Sequence, residues 1–199
     1  GIGAATCRVL AQAGACVIVH YGQSAGEAQA IVQEIGEGSA TALGGDLSQA
    51  GIAASLFRDA VAWKGRVDVL VNNLGIFGAA PALEITDAEW QRYWDVNVMA
   101  AVRLIRATLP GMKERGWGRV LNIASDSAIV TPAEMIHYGM TKSAQLAVAR
   151  GLAERTRGTN VTVNSVLPGP TSSEGVSEFV KQMGAQRGLS EADMEREFF

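Results

Sequence analysis

Cysteine and histidine are scarce in this chain of 199 residues, two of each, and their scarcity removes several classes of protein at once. Cys7 and Cys16 stand in segments that read as a buried helix and a buried strand. They are expected to be reduced core thiols rather than a disulfide framework, which fits a soluble, cytoplasmic protein. His20 and His137 are scattered with the cysteines without a zinc-ligand spacing, so no metal is expected. A dominant charge of one sign is lacking too. A formal net charge of -3 leaves no sustained basic surface for nucleic acid. No run approaches the roughly 18 uninterrupted apolar residues of a membrane span. Internal repeats, low-complexity tracts and a signal-peptide pattern are absent as well.

What is present is enough apolar content, 48%, for one substantial core, so residues 1–199 are expected to form a single domain. Strand-length apolar runs recur at Cys16 to Tyr21, Val67 to Asn72, Arg119 to Ala124 and Val161 to Leu167, with Ala40 to Leu43 a weaker fifth. Their near-continuous Val, Ile and Leu content predicts burial on both faces, as in a parallel sheet. Amphipathic stretches separate them. One apolar stripe comprises Ala28, Ile31, Val32 and Ile35, and another Ile52, Leu56, Ala60 and Val61. A long helix is expected from about Thr86 to Met112, with Thr86 as N-cap, Glu89 at the capping-box position and Pro110 kinking or finishing it. Regular alternation of strand and helix predicts an α/β, doubly wound parallel sheet of Rossmann type, a three-layer αβα arrangement. The chain opens at Gly1 without a methionine and closes at Phe198-Phe199 inside what reads as a helix. Both ends are therefore expected to be cuts, with a strand and a glycine-bearing turn before Gly1 and at least one strand after Phe199.

Ligands of such sheets bind beyond the carboxyl ends of the strands, which directs attention to the segments after Tyr21, Leu43, Asn72, Ala124 and Leu167. Tyr138 and Lys142 stand four residues apart, so on a helix both project from one face. A cation beside a phenol in a partly dry cleft favours the phenolate and brings it toward use as a general acid/base. Ser125, thirteen residues before Tyr138 and directly after a strand, can hold a substrate oxygen beside that phenol. Ser127, eleven residues before Tyr138, is the rival for this role. Around these stand Asn72-Asn73-Leu74-Gly75, Asn97 within Asp95-Val96-Asn97-Val98, and Pro168-Gly169-Pro170-Thr171, each placed after a strand or in the long helix.

In this order and spacing the motifs resemble the short-chain dehydrogenase/reductase family, in its compact branch near the 3-oxoacyl reductases and related bacterial oxidoreductases. The resemblance runs from Gly1 to about Glu178 and fades after it. It implies an enzyme that moves hydride between a nicotinamide dinucleotide and a ketone or secondary alcohol. Tyr138 would be the acid/base. Lys142 would lower its pKa and bind the nicotinamide ribose, Ser125 would orient the substrate oxygen, and Asn97 would support a water-linked proton relay toward the lysine. Gly1-Ile2-Gly3 resembles the end of the family's glycine-rich turn, where backbone approaches a pyrophosphate at a helix N-terminus. Asp46, followed by Leu47, matches an aspartate that meets the adenine amino group, although it can equally cap the next helix, a role Ser48 can also fill. Asn73, Leu74 and Gly75 are expected along the adenine ribose, with Leu74 departing from the family's usual alanine. Pro168, Gly169 and Thr171 are expected to flank the nicotinamide.

The run His20-Tyr21-Gly22-Gln23-Ser24 carries no acidic residue where NAD enzymes of this fold place one. Tyr21, Gln23 and Ser24 can donate to a phosphate instead, and the resemblance to NADP-dependent members with a similar run points the same way. NADP(H) is therefore expected ahead of NAD(H). Two other readings stay open: an epimerase or dehydratase on the same scaffold, and a non-catalytic dinucleotide-binding redox sensor. Substrate specificity is expected to reside in the segments 76–81, 126–135 and 171–199, with Phe77, Ile129, Met135 and Ile136 as apolar walls. The helix through Val98, Ala101, Val102, Ile105 and Leu109 is more apolar than one sheet-facing stripe requires. With the helix carrying Tyr138 it is expected to pair across the axis of a homodimer or homotetramer, as the resemblance implies.

Overall fold

A computed structural model of the chain describes residues 1–172 and 174–198. Its strands are β1 (Val17–Tyr21), β2 (Ala40–Gly44), β3 (Val69–Asn72), β4 (Trp117–Ile123) and β5 (Asn160–Val166). β1 pairs with β2, and β3, β4 and β5 form a second ladder in that order, every pair parallel. Parallel neighbours cannot be joined by a tight turn, so helices supply the crossovers. α1 (Ile2–Gln12) precedes β1, α2 (Ala25–Ile35) links β1 to β2, and α3 (Ile52–Lys64) links β2 to β3. A long helical run, α4 (Asp87–Tyr93) to α5 (Ala100–Glu114), leads to β4, and α6 (Ile136–Arg155) leads to β5. This is the expected doubly wound α/β architecture, and every predicted strand falls within about two residues of an observed one.

The core lies where helices press on the strands. On the β3–β5 ladder, Ile105, Leu109 and Met112 of α5 and Ala149 of α6 pack against Val120, Val161 and Val163. Gly118 makes this contact possible, because a Cβ there would stand 2.6 Å from the fully buried Met112 side chain. On the other ladder, Ala28, Ile31 and Val32 of α2 pack on Val17, Val19 and Ala40. Each such side chain contributes about 1.5–3 kcal/mol when taken from water. Burial is uneven across the sheet. Along β4, Gly118, Val120 and Asn122 are buried, whereas Arg119, Leu121 and Ile123 are half-buried, so one face is sealed more tightly than the apolar runs predict. At the far end α7 (Glu174–Arg187) and α8 (Glu191–Phe198) gather Phe179, Val180, Met183 and Met194 around Met135.

Several expectations need correction. Cys16 is exposed and Cys7 half-buried, because the β1 ladder begins only at Val17 and no residue of α1 is fully buried. The helix predicted from Thr86 to Met112 is one continuous run, but its middle, Trp94–Met99, is wound as a π turn. Pro110 does not finish it, and α5 continues to Glu114. Thr86 caps as expected, its hydroxyl accepting from the Glu89 amide at 3.2 Å. The Glu89 carboxylate, however, turns to Arg92, so only half of the capping box forms. Of the residues expected to pair subunits, Val98, Ala101, Ile105 and Leu109 are buried within this chain, and Val102 is half-buried. What remains open is a groove of about 770 Å³ between α5 and α6, lined in part by Val102, Leu109, Pro110, Val148 and Leu152. Met135 is no wall of a cleft, being packed in the α7–α8 cluster. The expected final residue of the specificity segment, Phe199, lies outside the described residues. Among the described residues no helix is long and apolar enough to cross a membrane.

Candidate active site

Parallel pairing places the carboxyl ends of β3, β4 and β5 side by side, with Asn72 opposite Asn122 and Ile123 opposite Val166. The segments leaving these strands therefore share one edge: Asn73 to Gly75 after β3, Ser125 after β4, and Pro168 to Thr171 after β5. The amide of Asp126 donates to the Pro168 carbonyl at 3.1 Å, tying the second segment to the third. α6 starts close by and presents its first two turns to this edge, bringing Tyr138 and Lys142 to it.

Ser125 is buried and extended, and its Oγ both accepts from the Ser127 amide at 3.1 Å and donates to Asp126 Oδ1 at 3.0 Å. Ser127 fills a different role. Its carbonyl accepts from Thr131 Oγ1 at 2.9 Å and lies against Gly139, so the residue braces the start of α6. Tyr138 is half-buried, and burial pushes its pKa above the ordinary phenol value. The Asp126 charge adds to that, and the Ser125 side chain opposes it. Burial thus works against the phenolate that a neighbouring lysine is expected to favour. Lys142 Nζ stands 5.6 Å from the centre of the Tyr138 ring and spends its donors on the Ile123 carbonyl, at 2.8 Å, and on Gln145 Oε1, at 3.4 Å. Lys142 is itself 4% exposed, and burial pulls it down to about 8.

The π turn accounts for Asn97. Widening the helix there turns this residue inward until it is 0% exposed. Its side chain grips the backbone of Ile76 at both ends, Oδ1 accepting from the amide at 2.8 Å and Nδ2 donating to the carbonyl at 3.0 Å. Nδ2 also donates to Thr141 Oγ1 at 3.0 Å. Asn97 thus clamps the loop after β3 against α6. Its own carbonyl accepts from Gln145 Nε2.

Space for a ligand's backbone approach exists beside these groups. A Cβ on Gly75 would meet Lys142 Nζ at 3.4 Å and Asn97 Oδ1 at 3.5 Å, so the backbone of this glycine lies directly against both groups. Gly1 and Ile2 open α1, whose N-terminus has no side-chain cap, and a Cβ on Gly3 would stand 2.7 Å from Asn73 Nδ2. The expected glycine-turn residues and Asn73 are therefore brought together. Leu74 is partly exposed beside them. At the end of β1 the Tyr21 ring lies over Gly44, where a Cβ would meet its Cζ at 2.7 Å. Ser24 occupies the N-cap position of α2 with its hydroxyl unbonded to the helix. Asp46 is committed locally, Oδ1 accepting from Ser48 Oγ at 2.6 Å and Oδ2 from Gln49 Nε2 at 3.1 Å, while Leu47 beneath it is buried. Neither Asp46 nor Ser48 caps α3, whose N-cap position is Gly51; Asp46 instead closes a turn ahead of that helix. Thr171 Oγ1 donates to the Gly169 carbonyl at 2.9 Å, and a Cβ on Gly169 would lie 3.5 Å from Asp126 Oδ2.

Two residues at this edge had no place in the sequence reading. Asp126 sits between Ser125 and Gly169, and nothing in its position beside a serine marks it. Gln145 is 3% exposed on α6, one turn after Lys142, and an amide at that spacing on a helix face of small and apolar residues was the available signal. Phe77 meets Tyr138 edge-on at 6.3 Å and Phe179 at 5.4 Å, forming an aromatic bridge from the loop after β3 to α7. Ile129 is exposed beyond it.

Comparison with known proteins agrees with this geometry. Residues 1–184 match the family described as short chain dehydrogenase. The chain is 42% identical over 199 residues to the uncharacterized oxidoreductase YvrD of Bacillus subtilis, a match covering 100% of this chain and 75% of that one. It is 31% identical over 198 residues to the D-beta-hydroxybutyrate dehydrogenase of Cupriavidus necator, covering 99% of this chain and 77% of the relative. Its fold matches a crystal structure of an actinorhodin polyketide ketoreductase with NADPH at a TM-score of 0.90 and 27% identity, covering 97% and 75% of the two chains.

Proposed function

The chain belongs to the short chain dehydrogenase family of oxidoreductases, and from that premise we propose that it interconverts a ketone and a secondary alcohol with NADP(H) in preference to NAD(H). One observation carries the reading: Ser125, Tyr138 and Lys142 meet at a single strand edge, with the Gly75 backbone against the lysine. That glycine cradle fits a dinucleotide. Gly1, Ile2 and Gly3 would take its pyrophosphate at the α1 N-terminus, Asn73 and Gly75 its riboses together with Lys142, and Pro168, Gly169 and Thr171 its nicotinamide end. When bound, the dinucleotide supplies or accepts the hydride.

The protein's own groups handle the proton and the orientation. Ser125 Oγ donates to the substrate oxygen once it releases Asp126, fixing the carbonyl beside the phenol. Tyr138, whose pKa burial raises, gives its proton to that oxygen in the reductive direction and takes it back in the oxidative one. The Lys142 ammonium steadies the phenolate that this transfer leaves. Asn97 holds the Ile76 loop and Thr141 in place, and so orders the first turns of α6. The preference for NADP(H) rests on the absence of a carboxylate from Tyr21 to Ser24, where a phosphate would meet a phenol, an amide and a hydroxyl. The solved ketoreductase relative, which carries NADPH, supports the same choice. The apolar groove between α5 and α6 favours a homodimer or homotetramer. The test is purified full chain with NADPH or NADH and acetoacetate, ethyl acetoacetate or cyclohexanone. Ketone-dependent NADPH oxidation is expected, falling about 10²- to 10⁴-fold in Tyr138→Phe while NADPH binding persists. Turnover that survives this substitution refutes the assignment.

A further inference from the structure

Gln145 is a buried polar side chain that the proposed reaction does not use. Its helix neighbours Ala144, Leu146, Ala147 and Val148 are small or apolar, and a glutamine among them loses its hydration on folding. Both ends of its amide are nevertheless paired. Oε1 faces Lys142 Nζ at 3.4 Å, and Nε2 donates to the backbone carbonyl of Asn97. These partners come from different elements, the lysine from the second turn of α6 and the asparagine from the π turn. The same lysine reaches β4 through the Ile123 carbonyl, and the same asparagine reaches the β3 loop through Ile76. One side chain therefore joins the two halves of a dry polar network in which Asn97, Thr141, Lys142 and Gln145 are all at most 4% exposed.

Resting on the reading above, we propose that Gln145 is a positioning residue. By spanning Lys142 and Asn97 it fixes the ammonium at the strand edge and gives it an acceptor, so that the lysine is aimed and charged when dinucleotide and substrate arrive. Lysine has three donors, and a buried ammonium with too few acceptors either swings away or sheds its proton. Here one acceptor is a strand-end carbonyl, and the glutamine supplies the second. Burial already pulls Lys142 down to about 8, which makes each acceptor matter at neutral pH. The titratable groups around the network are few. Tyr138 lies on the same helix, Asp126 follows β4, and Tyr93 with the buried His137 lies at the junction with α4. Asp95 of the π turn is directed to Arg103 and Gln91. The loop after β3 brings Gly75 and the π turn brings Asn97 Oδ1, neither of which titrates.

The experiment reads the lysine directly. Carbon-13 lysine NMR of the full chain without dinucleotide resolves Lys64, Lys113, Lys142 and Lys181, with Lys142→Met identifying the signal. Gln145→Met keeps length and removes both polar ends, and should lower the Lys142 titration by about half to one pH unit. Gln145→Glu places a carboxylate against the ammonium and should move it upward. A side chain that only fills space would leave the Lys142 titration of Gln145→Met where it is. A lowered titration in that variant supports the proposal, and an unmoved Lys142 overturns it; Gln145→Glu checks that position 145 touches the ammonium. If Gln145→Met fails to fold, Gln145→Leu is read in its place with the same two outcomes. NADPH turnover by the wild type is measured separately. Titrations that move in an inactive protein sink the proposed reaction and leave the network standing, whereas turnover with unmoved titrations does the reverse.

Discussion

Lys142→Met should make the protein more stable near neutral pH while removing its turnover. A free lysine titrates at 10.5, and burial brings Lys142 to about 8. At about 1.36 kcal/mol per pH unit the gap corresponds to about 3 kcal/mol by which the folded state disfavours the charged amine. The sign follows from proton counting. Below pH 8 both folded and unfolded chains carry the proton, and the full cost is present. Between 8 and 10.5 the unfolded chain binds more protons than the folded one, so wild-type stability from this group rises with pH. Above 10.5 the cost is gone. Methionine has similar length and carries no charge, but it leaves the Ile123 carbonyl and Gln145 Oε1 without their amine partner, at about 1–2 kcal/mol in all. The net expectation is a gain of about 1–2 kcal/mol at pH 7, shrinking and then reversing as pH approaches 10. Urea unfolding of both proteins without dinucleotide, at several pH values from 6 to 10, measures the difference. The titrations common to both chains cancel in it. A difference that stays flat across that range, or a variant less stable at pH 7, would refute the argument that Lys142 is a charge held in a dry site.

Two further outcomes follow from the same kind of reasoning. Tyr21→Asp puts a carboxylate at the end of β1, and should shift the kcat/KM ratio from NADPH toward NADH by about 1–3 kcal/mol in steady-state kinetics with both dinucleotides. An unchanged ratio places the choice in another residue. His137 is 1% exposed, its ring tilted against that of Tyr93 at 4.0 Å, with no partner for Nδ1, and burial holds its pKa below 6.5. The unfolded chain therefore binds the extra proton as pH falls through 6.5, and stability is lost in that direction. His137→Phe should flatten this acid limb in unfolding measurements from pH 7 to 5, and an unaltered limb would assign it to other groups.

The sheet was legible because its signal is a period. Strand-length runs of Val, Ile and Leu alternate with helical stripes, and the strands fall within about two residues of those runs. The candidate site was legible where chemistry and chain order coincide, as with Tyr138 and Lys142 one turn apart and Ser125 at a strand end. What could not be read was pairing across the fold. That Lys142 turns to the Ile123 carbonyl and Gln145 depends on which acceptors β4 and α6 present at the strand edge. Asp126 and Gln145 carry no local mark, since a carboxylate in a loop and an amide in a helix are ordinary until their partners are known. Met135 was misplaced for the converse reason. Its apolar character fits a cleft wall and a core equally, and α7 and α8 decide for the core.

The π turn at Trp94–Met99 turns chain length into angle. In a regular helix each residue advances about 100° around the axis. Deleting one residue between Trp94 and Met99 would let the run close into an uninterrupted α-helix, at the cost of rotating everything before it by about that amount against α5. The hydrogen-bond count of the helix would improve and the clamp on Ile76 would be lost, because Asn97 could face the β3 loop or keep regular phase with α5, not both. The segment behaves as a gear with one tooth too many. A single-residue deletion there, harmless by composition and favourable by helix geometry, should disengage the loop that carries Asn73 and Gly75 from the helix that carries Tyr138.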